Sequence, residues 1–415
     1  MTATIGIDFG TTNSVVSVLL PDGSSQTVRF GTHDVFRTVL CFWSEQVGVS
    51  TRLRHEAGPQ AIEAYLDDPL DARLIMSMKS YLAQASFQET RIFGRRFTLE
   101  AMIATFLRAM LNSAGIDPAG ATVVAGRPVR FAGDNPNDDL GASRLAAAFG
   151  EAGMPAPRLA LEPEGAGWQF ARRLDRPANV LIGDFGGGTS DFSVLRFTPG
   201  QPVVSLGHAG IGIAGDVFDF RIIDKMVSPR LGKGGTYKVM GKDMPVPVEY
   251  FLAFARWHRL SLMRNPRTLR EIADLARTAA HPWRLRALHS LIEDEMGYRL
   301  YQTVSGVKAA LSGADSAVLR FHHKELDIDE PISRAEFENW IAGDLAQMAT
   351  TVDLALTRAG IGADAIDHVF LTGGTSFVPA VREIFTTRFG AERVALGGEF
   401  VSVAEGLALI GQEAA

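Results

Sequence analysis

The sequence predicts an α/β protein of two related lobes, and three observations carry that prediction. Strand-like apolar runs alternate with helical patterns along the chain. The segment IGIDFGTTNSVVSVL near the N-terminus recurs as LIGDFGGGTSDFSVLRF, with Asp184 following Asp8 by 176 residues. A motif that returns at such a distance indicates an architecture built twice. Finally, 415 residues exceed the roughly 100–200 residues of a single domain, so two cores are expected.

The elements follow in order. Ile5 to Phe9 reads as a strand, Gly10-Thr-Thr-Asn as a tight polar turn, Val15 to Leu20 as a second strand, and Pro21-Asp22-Gly23 as a hairpin turn. Residues 100–114 carry apolar side chains at helical spacing. Val123 to Ala125 reads as a short buried strand, and 140–149 and 165–174 as helices. The repeated strand–turn–strand then opens the second half at Val180. Between Lys225 and Tyr301 the pattern becomes long, Arg- and Trp-rich helical stretches. Strand-like alternation returns over 318–328, followed by a helix at 341–359, a buried strand at 367–372, and helices at 379–389 and 402–410.

Composition narrows the function classes. With 46% hydrophobic and 21% charged residues the chain suits a globular protein, not a disordered or disulfide-stapled one. The net charge of −6 argues against a general nucleic-acid binder. A lone cysteine, Cys41, permits no internal disulfide; it fits a reducing compartment and is expected to pack as a small buried hydrophobe. The N-terminus lacks the basic and apolar regions of a signal peptide, and no apolar run is long enough to span a bilayer. A cytoplasmic protein is the expectation.

Three glycine- and hydroxyl-rich turns each follow an apolar strand: Gly10-Thr11-Thr12, Gly186-Gly187-Gly188-Thr189 and Gly373-Gly374-Thr375. Glycine lets backbone N–H groups converge on an anion, and threonine adds a hydroxyl donor. Asp8 and Asp184 stand two residues before the first two turns, placed to hold a metal that bridges phosphates through water. Any one copy could be an ordinary hairpin; three in this order favour phosphate loops. There is no Gly-x4-Gly-Lys-[Ser/Thr], which excludes a P-loop NTPase. Gly210-Ile-Gly212-Ile-Ala-Gly215 matches a dinucleotide fingerprint but lacks the following βαβ unit, and reads as a turn into a helix over 217–225.

Five segments in this order, IGIDFGTTNS, LALEPEGAG, LIGDFGGGTSDFSV, IAGDVFDF and VFLTGGTSFVPAVREIF, resemble the nucleotide-binding domain of the heat shock protein 70 (Hsp70) chaperones. More widely they resemble the actin, sugar-kinase and chaperone ATPase superfamily, and above all its short bacterial Hsp70-like members. The resemblance covers nearly the whole chain outside 226–300. It implies a two-lobed actin-like ATPase (ribonuclease H-like) fold with internally duplicated lobes. Lobe one would be residues 1–175 with 400–415 returning to it; lobe two would be 176–399, with a helical insertion at about 226–300.

The resemblance also implies a site for ATP or ADP with Mg. Asp8, Asp184 and Asp191 would hold the metal and its water shell, and Gly10, Thr11, Thr12 and Asn13 would face Gly186, Gly187, Gly188 and Thr189 across the phosphates. Asp184, Asp191 and Thr189 would serve the attacking water, with Glu162 helping to position it and Lys79 touching phosphate. Gly215, Asp216, Lys308, Ser312, Gly373, Gly374, Thr375 and Phe377 would surround the nucleoside. The helices at 165–174 and 402–410 would form a hinge, their Ala166, Gly167, Ala404 and Gly406 small enough to pack closely.

Three departures stand out. Ala309 and Phe377 occupy the places where the chaperones set two arginines against adenine, and Ser305 replaces an acidic residue at the nucleoside. Stacking on Phe377 supplies one contact, of ~1 kcal/mol, so weaker adenosine binding or a broader base preference is expected. No β-sandwich for peptide binding follows the last helix, so a peptide clamp within this chain is not expected. Residues 256–286 hold eight arginines against Glu271 and Asp274, with Trp257 and Trp283 interleaved; the alternatives are a surface for nucleic acid or an acidic partner, and the solvated faces of amphipathic helices, which the composition favours.

The function expected is a slowly hydrolysing, Hsp70-like nucleotide switch with client proteins or a co-chaperone as partners, and with no membrane or nucleic-acid role. A non-hydrolysing scaffold that docks a partner through the insertion, and a small-molecule kinase of the same superfamily, stand as alternatives.

Overall fold

Each copy of the repeated motif becomes the central pair of strands in its own five-stranded path. In the first sheet of this computed structural model, Thr4–Phe9 pairs antiparallel with Asn13–Leu19, which pairs antiparallel with Ser25–Thr27. On its other side Thr4–Phe9 pairs parallel with Thr122–Arg127, and that strand with Arg158–Leu161. The second sheet repeats the scheme: Ala178–Phe185, Ser190–Phe197 and Val204–Ile211 form the antiparallel meander. His368–Thr372 and then Val394–Leu396 add in parallel. Strand order and direction are therefore the same in both sheets, apart from a two-residue strand, Phe36–Arg37, that pairs with Asn13–Leu19. The duplication legible in the residues is a duplication of topology.

The structure describes residues 3–133, 135–171, 174–199, 201, 203–254, 263–397 and 401–412. These fall into two compact units, Met1–Ala214 with Leu345–Ala415, and Gly215–Asp344.

In the first unit both sheets are covered by helices, so their central strands are apolar on both faces. Ile5, Ile7 and Phe9 pack with Met102, Ile103, Phe106 and Met110 of the Leu99–Ala114 helix. That helix starts where the Thr98 side chain accepts the N–H of Ala101 and ends at Gly115 in the left-handed region. Cys41 lies fully buried, and burial pushes its thiol up to about 12.

Between the sheets lies a crossed pair of helices, Glu162–Ala171 and Ser402–Gln412. Ala166, Phe170, Val403, Leu407 and Ile410 form one core there with Val180, Ile182 and Leu195 of the second sheet. The crossing is made by Gly165 and Gly406: a methyl group on Gly406 would lie 1.7 Å from the Gly165 carbonyl oxygen. Gly167, expected at this contact, instead faces Leu195, Phe197 and Ile182. At 3.6 residues per turn two positions separate by about 200°, so Gly165 and Gly167 look to opposite sides.

The second unit holds the Gly215–Ile222, Pro266–Thr278, Pro282–Glu293 and Gly297–Gly313 helices and a Ser316–His323/Leu326–Ser333 hairpin. Where helix was expected throughout 226–300, a second hairpin forms, Thr236–Val239 with Lys242–Pro245. Its two-residue turn, Met240-Gly241, has both φ values positive, at 49° and 82°. This is the turn hand that matches strand twist, and Met-Gly lacks the Asn-Gly signal that would have marked it. Of the Arg-rich run, Arg264, Arg267, Arg277 and Arg286 pair with Glu295, Glu271, Asp274 and Glu325. Arg256, Trp257 and Arg259 lie outside the described residues.

Candidate phosphate and carboxylate site

The repeated strands end on carboxylates. Asp8 lies one residue before the end of Thr4–Phe9, and Asp184 one residue before the end of Ala178–Phe185, directly opposite Asp191 on the paired strand. Asp184, Asp191 and Glu162 are buried; Asp8 keeps some exposed surface. Glu162 opens one of the crossed helices, and its Oε1 accepts from Lys79 Nζ at 2.5 Å. Lys79 is delivered by a single 3-10 turn, Met78–Tyr81, whose entry bends through Ser77 at φ 54°.

Charge dominates this cluster. Burial, then repulsion from Glu162, pushes the Asp8 carboxyl up to about 7 against the pull of Lys79. Asp191 likewise rises to about 7, through burial and Glu162, although the Thr189 hydroxyl and the Arg130 amide favour its charged form. Asp184 is held well above the usual carboxylate range by burial and by Glu162, Asp8 and Asp191. Burial opposes the charge on Lys79, but Glu162, Asp8 and Asp184 outweigh it and raise its pKa. Four carboxylates thus face one ammonium, a deficit of positive charge that a divalent cation would fill.

The donor set suits such an ion. Hard carboxylate oxygens match Mg, which keeps several waters and takes few direct protein ligands. Among the described residues no three acidic, histidine or cysteine side chains converge into a direct cage.

Around the carboxylates stand the turns. Thr12 and Asn13 are tied down, the Thr12 carbonyl accepting from Thr38 N–H at 2.9 Å and Asn13 Oδ1 from Arg37 at 3.0 Å. Gly186 N–H donates to the Thr189 carbonyl at 2.9 Å, closing the second turn. A side chain on Gly188 would begin 3.6 Å from Thr11 Oγ1 and 3.7 Å from Ser80 Oγ, so the first two turns face each other. Asp191 Oδ1 accepts from the N–H groups of Val129 and Arg130 at 2.9 and 3.2 Å, which couples the second sheet to the loop after Thr122–Arg127.

The third turn backs onto the second. Gly373 has φ +87°, and a Cβ there would lie 2.1 Å from the Phe185 carbonyl oxygen. Ser376 Oγ donates to the Gly373 carbonyl at 2.6 Å. Gly374 is exposed, Thr375 buried and Phe377 half-buried.

The structure thus brings together Asp8, Lys79, Glu162, Asp184 and Asp191, and sets Thr11 facing Gly188. Gly215, Asp216, Lys308 and Ser312 belong to the second unit. There Lys308 Nζ donates to Asp219 Oδ2 at 2.8 Å and to the Gly215 carbonyl at 3.0 Å, and Ser312 Oγ bonds its own helix at the Lys308 carbonyl. The Asp219 partner, the Val129 and Arg130 amides and Ser80 were all missed from sequence. Asp219 lies four residues after Gly215 in IAGDVFDF and was within reach; backbone amides of an irregular loop leave no residue-type signal.

Two comparisons bear on the chain. The family model described as Hsp70 protein matches residues 288–412. A relative, "Chaperone protein dnaK1" of Prochlorococcus marinus (strain MIT 9313), is 25% identical over 408 residues, covering 94% of this chain and 53% of the relative. The chain therefore spans about half the length of that curated protein.

Proposed function

Taking the chain as an Hsp70-family, chaperone-like protein with the actin-like ATPase fold, we propose that it binds Mg·ATP and hydrolyses it slowly, as a nucleotide-dependent switch. The observation that carries this reading is the cluster of Lys79 and Glu162 with Asp8, Asp184 and Asp191, the three aspartates standing at the ends of the duplicated strands. Phosphoryl transfer needs positioning and charge neutralisation more than covalent chemistry. Asp8, Asp184 and Asp191 would hold Mg through its waters, and the ion would supply positive charge to offset that of the phosphates.

The same reading assigns the remaining roles. Gly10 to Asn13 and Gly186 to Thr189 cradle the β- and γ-phosphates with N–H and hydroxyl donors. Lys79 holds phosphate charge while Glu162 fixes its ammonium. Asp184 and Asp191, whose carboxyls burial and neighbouring carboxylates hold above the usual range, orient the attacking water and take its proton. For the nucleoside the proposed residues are Gly215, Asp216, Lys308, Ser312, Gly373, Gly374, Thr375 and Phe377. Lobe one comprises 1–175 with 400–415, lobe two 176–399, and the crossed helices act as the hinge between them. Client proteins or a co-chaperone read the resulting state, and the cytoplasm is the proposed setting.

A phosphate-release assay tests hydrolysis. Wild type should turn over ATP slowly with Mg and not with EDTA, and Asp184→Asn should lower the rate at least tenfold. Nucleotide binding with no phosphate release above background would select instead a scaffold that binds nucleotide without hydrolysis.

A further inference from the structure

We propose that Ser80 is a further phosphate-binding residue, which with Thr11 grips the terminal phosphoryl group and makes the site prefer a triphosphate over a diphosphate. This inference rests on the Mg·ATP reading above and names a residue which that reading leaves out. Its basis is the gap over Gly188. An ideal Cβ on Gly188 would meet Thr11 Oγ1 at 3.6 Å, Ser80 Oγ at 3.7 Å and Thr11 Cγ2 at 3.9 Å, and nothing nearer. These are ordinary contact distances, so the glycine is not there to relieve a clash. What its missing side chain leaves is a space bordered by the Thr11 and Ser80 hydroxyls and the Thr11 methyl.

Ser80 is prepared for such a role. Its N–H donates to the Ser77 carbonyl at 3.0 Å, and its own carbonyl accepts from Gln84 Nε2 at 2.7 Å. Both backbone groups are engaged, which fixes the residue, while its hydroxyl makes no hydrogen bond among the described residues. The preceding residue is Lys79, in contact with Glu162 and electrostatically coupled to Asp8 and Asp184. The gap therefore lies at the carboxylate end of the site, where a terminal phosphoryl would be cleaved. A hydroxyl donating to a charged phosphate oxygen contributes more than a neutral hydrogen bond.

The test is equilibrium binding of the β,γ-imido analogue of ATP and of ADP, each with Mg, to wild type, Ser80→Ala, Ser80→Thr and Gly188→Ala. Ser80→Ala should weaken the triphosphate analogue about tenfold and leave ADP within about twofold, and Ser80→Thr should restore most of the loss. Gly188→Ala, which the backbone accommodates, should fill the gap and also weaken the triphosphate analogue selectively. If wild type binds both nucleotides and Ser80→Ala loses neither, or loses both equally, the inference is overturned while the Mg·ATP reading stands. If wild type binds neither, both fall.

Discussion

At the scale of single residues, the cluster is costly to keep charged in the absence of a cation, and that gives it a pH signature. In the folded chain burial and Glu162 push Asp8 and Asp191 up to about 7, from an ordinary carboxylate value of 3.8. Between about pH 4 and 7 the folded state therefore binds more protons than the unfolded one, so stability is greatest below about pH 4 from this source and falls as pH rises through 7. Denaturant titrations without metal or nucleotide should show that loss, and Asp8→Asn should flatten the slope. A slope unchanged by Asp8→Asn would remove the repulsion argument. The same logic makes the Lys79–Glu162 pair asymmetric. Lys79→Met leaves Glu162 buried and uncompensated and should cost about 3–5 kcal/mol. Glu162→Gln leaves Lys79 with Asp8 and Asp184 beside it and should cost clearly less. Equal losses in urea unfolding would mean that the two aspartates do not share the ammonium.

At this scale the sequence was informative wherever a side chain sits inside the repeated motif. Asp8, Asp184 and Asp191 could be read from the strand–turn–strand pattern. Lys79 needed the family resemblance, because a one-turn helix entered through a serine at positive φ has no periodicity to read. Ser80 could not be read at all: its significance is a distance to Gly188, a residue more than a hundred positions away.

At the scale of elements, the crossed helices carry the most specific packing constraint. Gly406→Ala must push the Ser402–Gln412 helix off Gly165 and should destabilise by about 1–3 kcal/mol or more, as overpacking does. Gly150→Ala is the control: it sits in the Asp138–Glu151 helix with nothing within 4 Å of its Cβ. It should stabilise by up to about 1 kcal/mol through helix propensity alone. Thermal melts of the two variants check both signs, and a neutral Gly406→Ala would show that the helices are not in tight register. Most elements were legible because their apolar spacing matches burial, as in Leu99–Ala114. The Thr236–Pro245 hairpin was not, since its strands are mostly exposed and offer no apolar alternation, and its turn is Met-Gly.

At the scale of the whole molecule, the same strand order in both sheets is the physical form of the repeat seen in the residues. A two-fold repeated topology puts the ends of two central strands, and hence two carboxylates, into the same kind of position in each sheet. What sequence could not supply is the compact grouping of the chain. Gly215–Asp344 forms a unit of its own, starting earlier than the 226–300 insertion and running beyond it, because packing between the Gly215–Ile222 and Gly297–Gly313 helices is a long-range property. Lys308 bonded to Asp219 and Gly215 is a local trace of that packing.

The central claim is that these duplicated turns and carboxylates bind Mg·ATP. Thermal unfolding of wild type and Asp184→Asn, with and without Mg·ATP and Mg·ADP, tests it most directly. Nucleotide at about 100 times its dissociation constant should stabilise wild type by roughly 2.7 kcal/mol. Asp184→Asn should be no less stable than wild type without ligand, since it removes a repelled charge, and should show a much smaller nucleotide shift. No shift in wild type at millimolar nucleotide, or an undiminished shift in Asp184→Asn, would contradict the account.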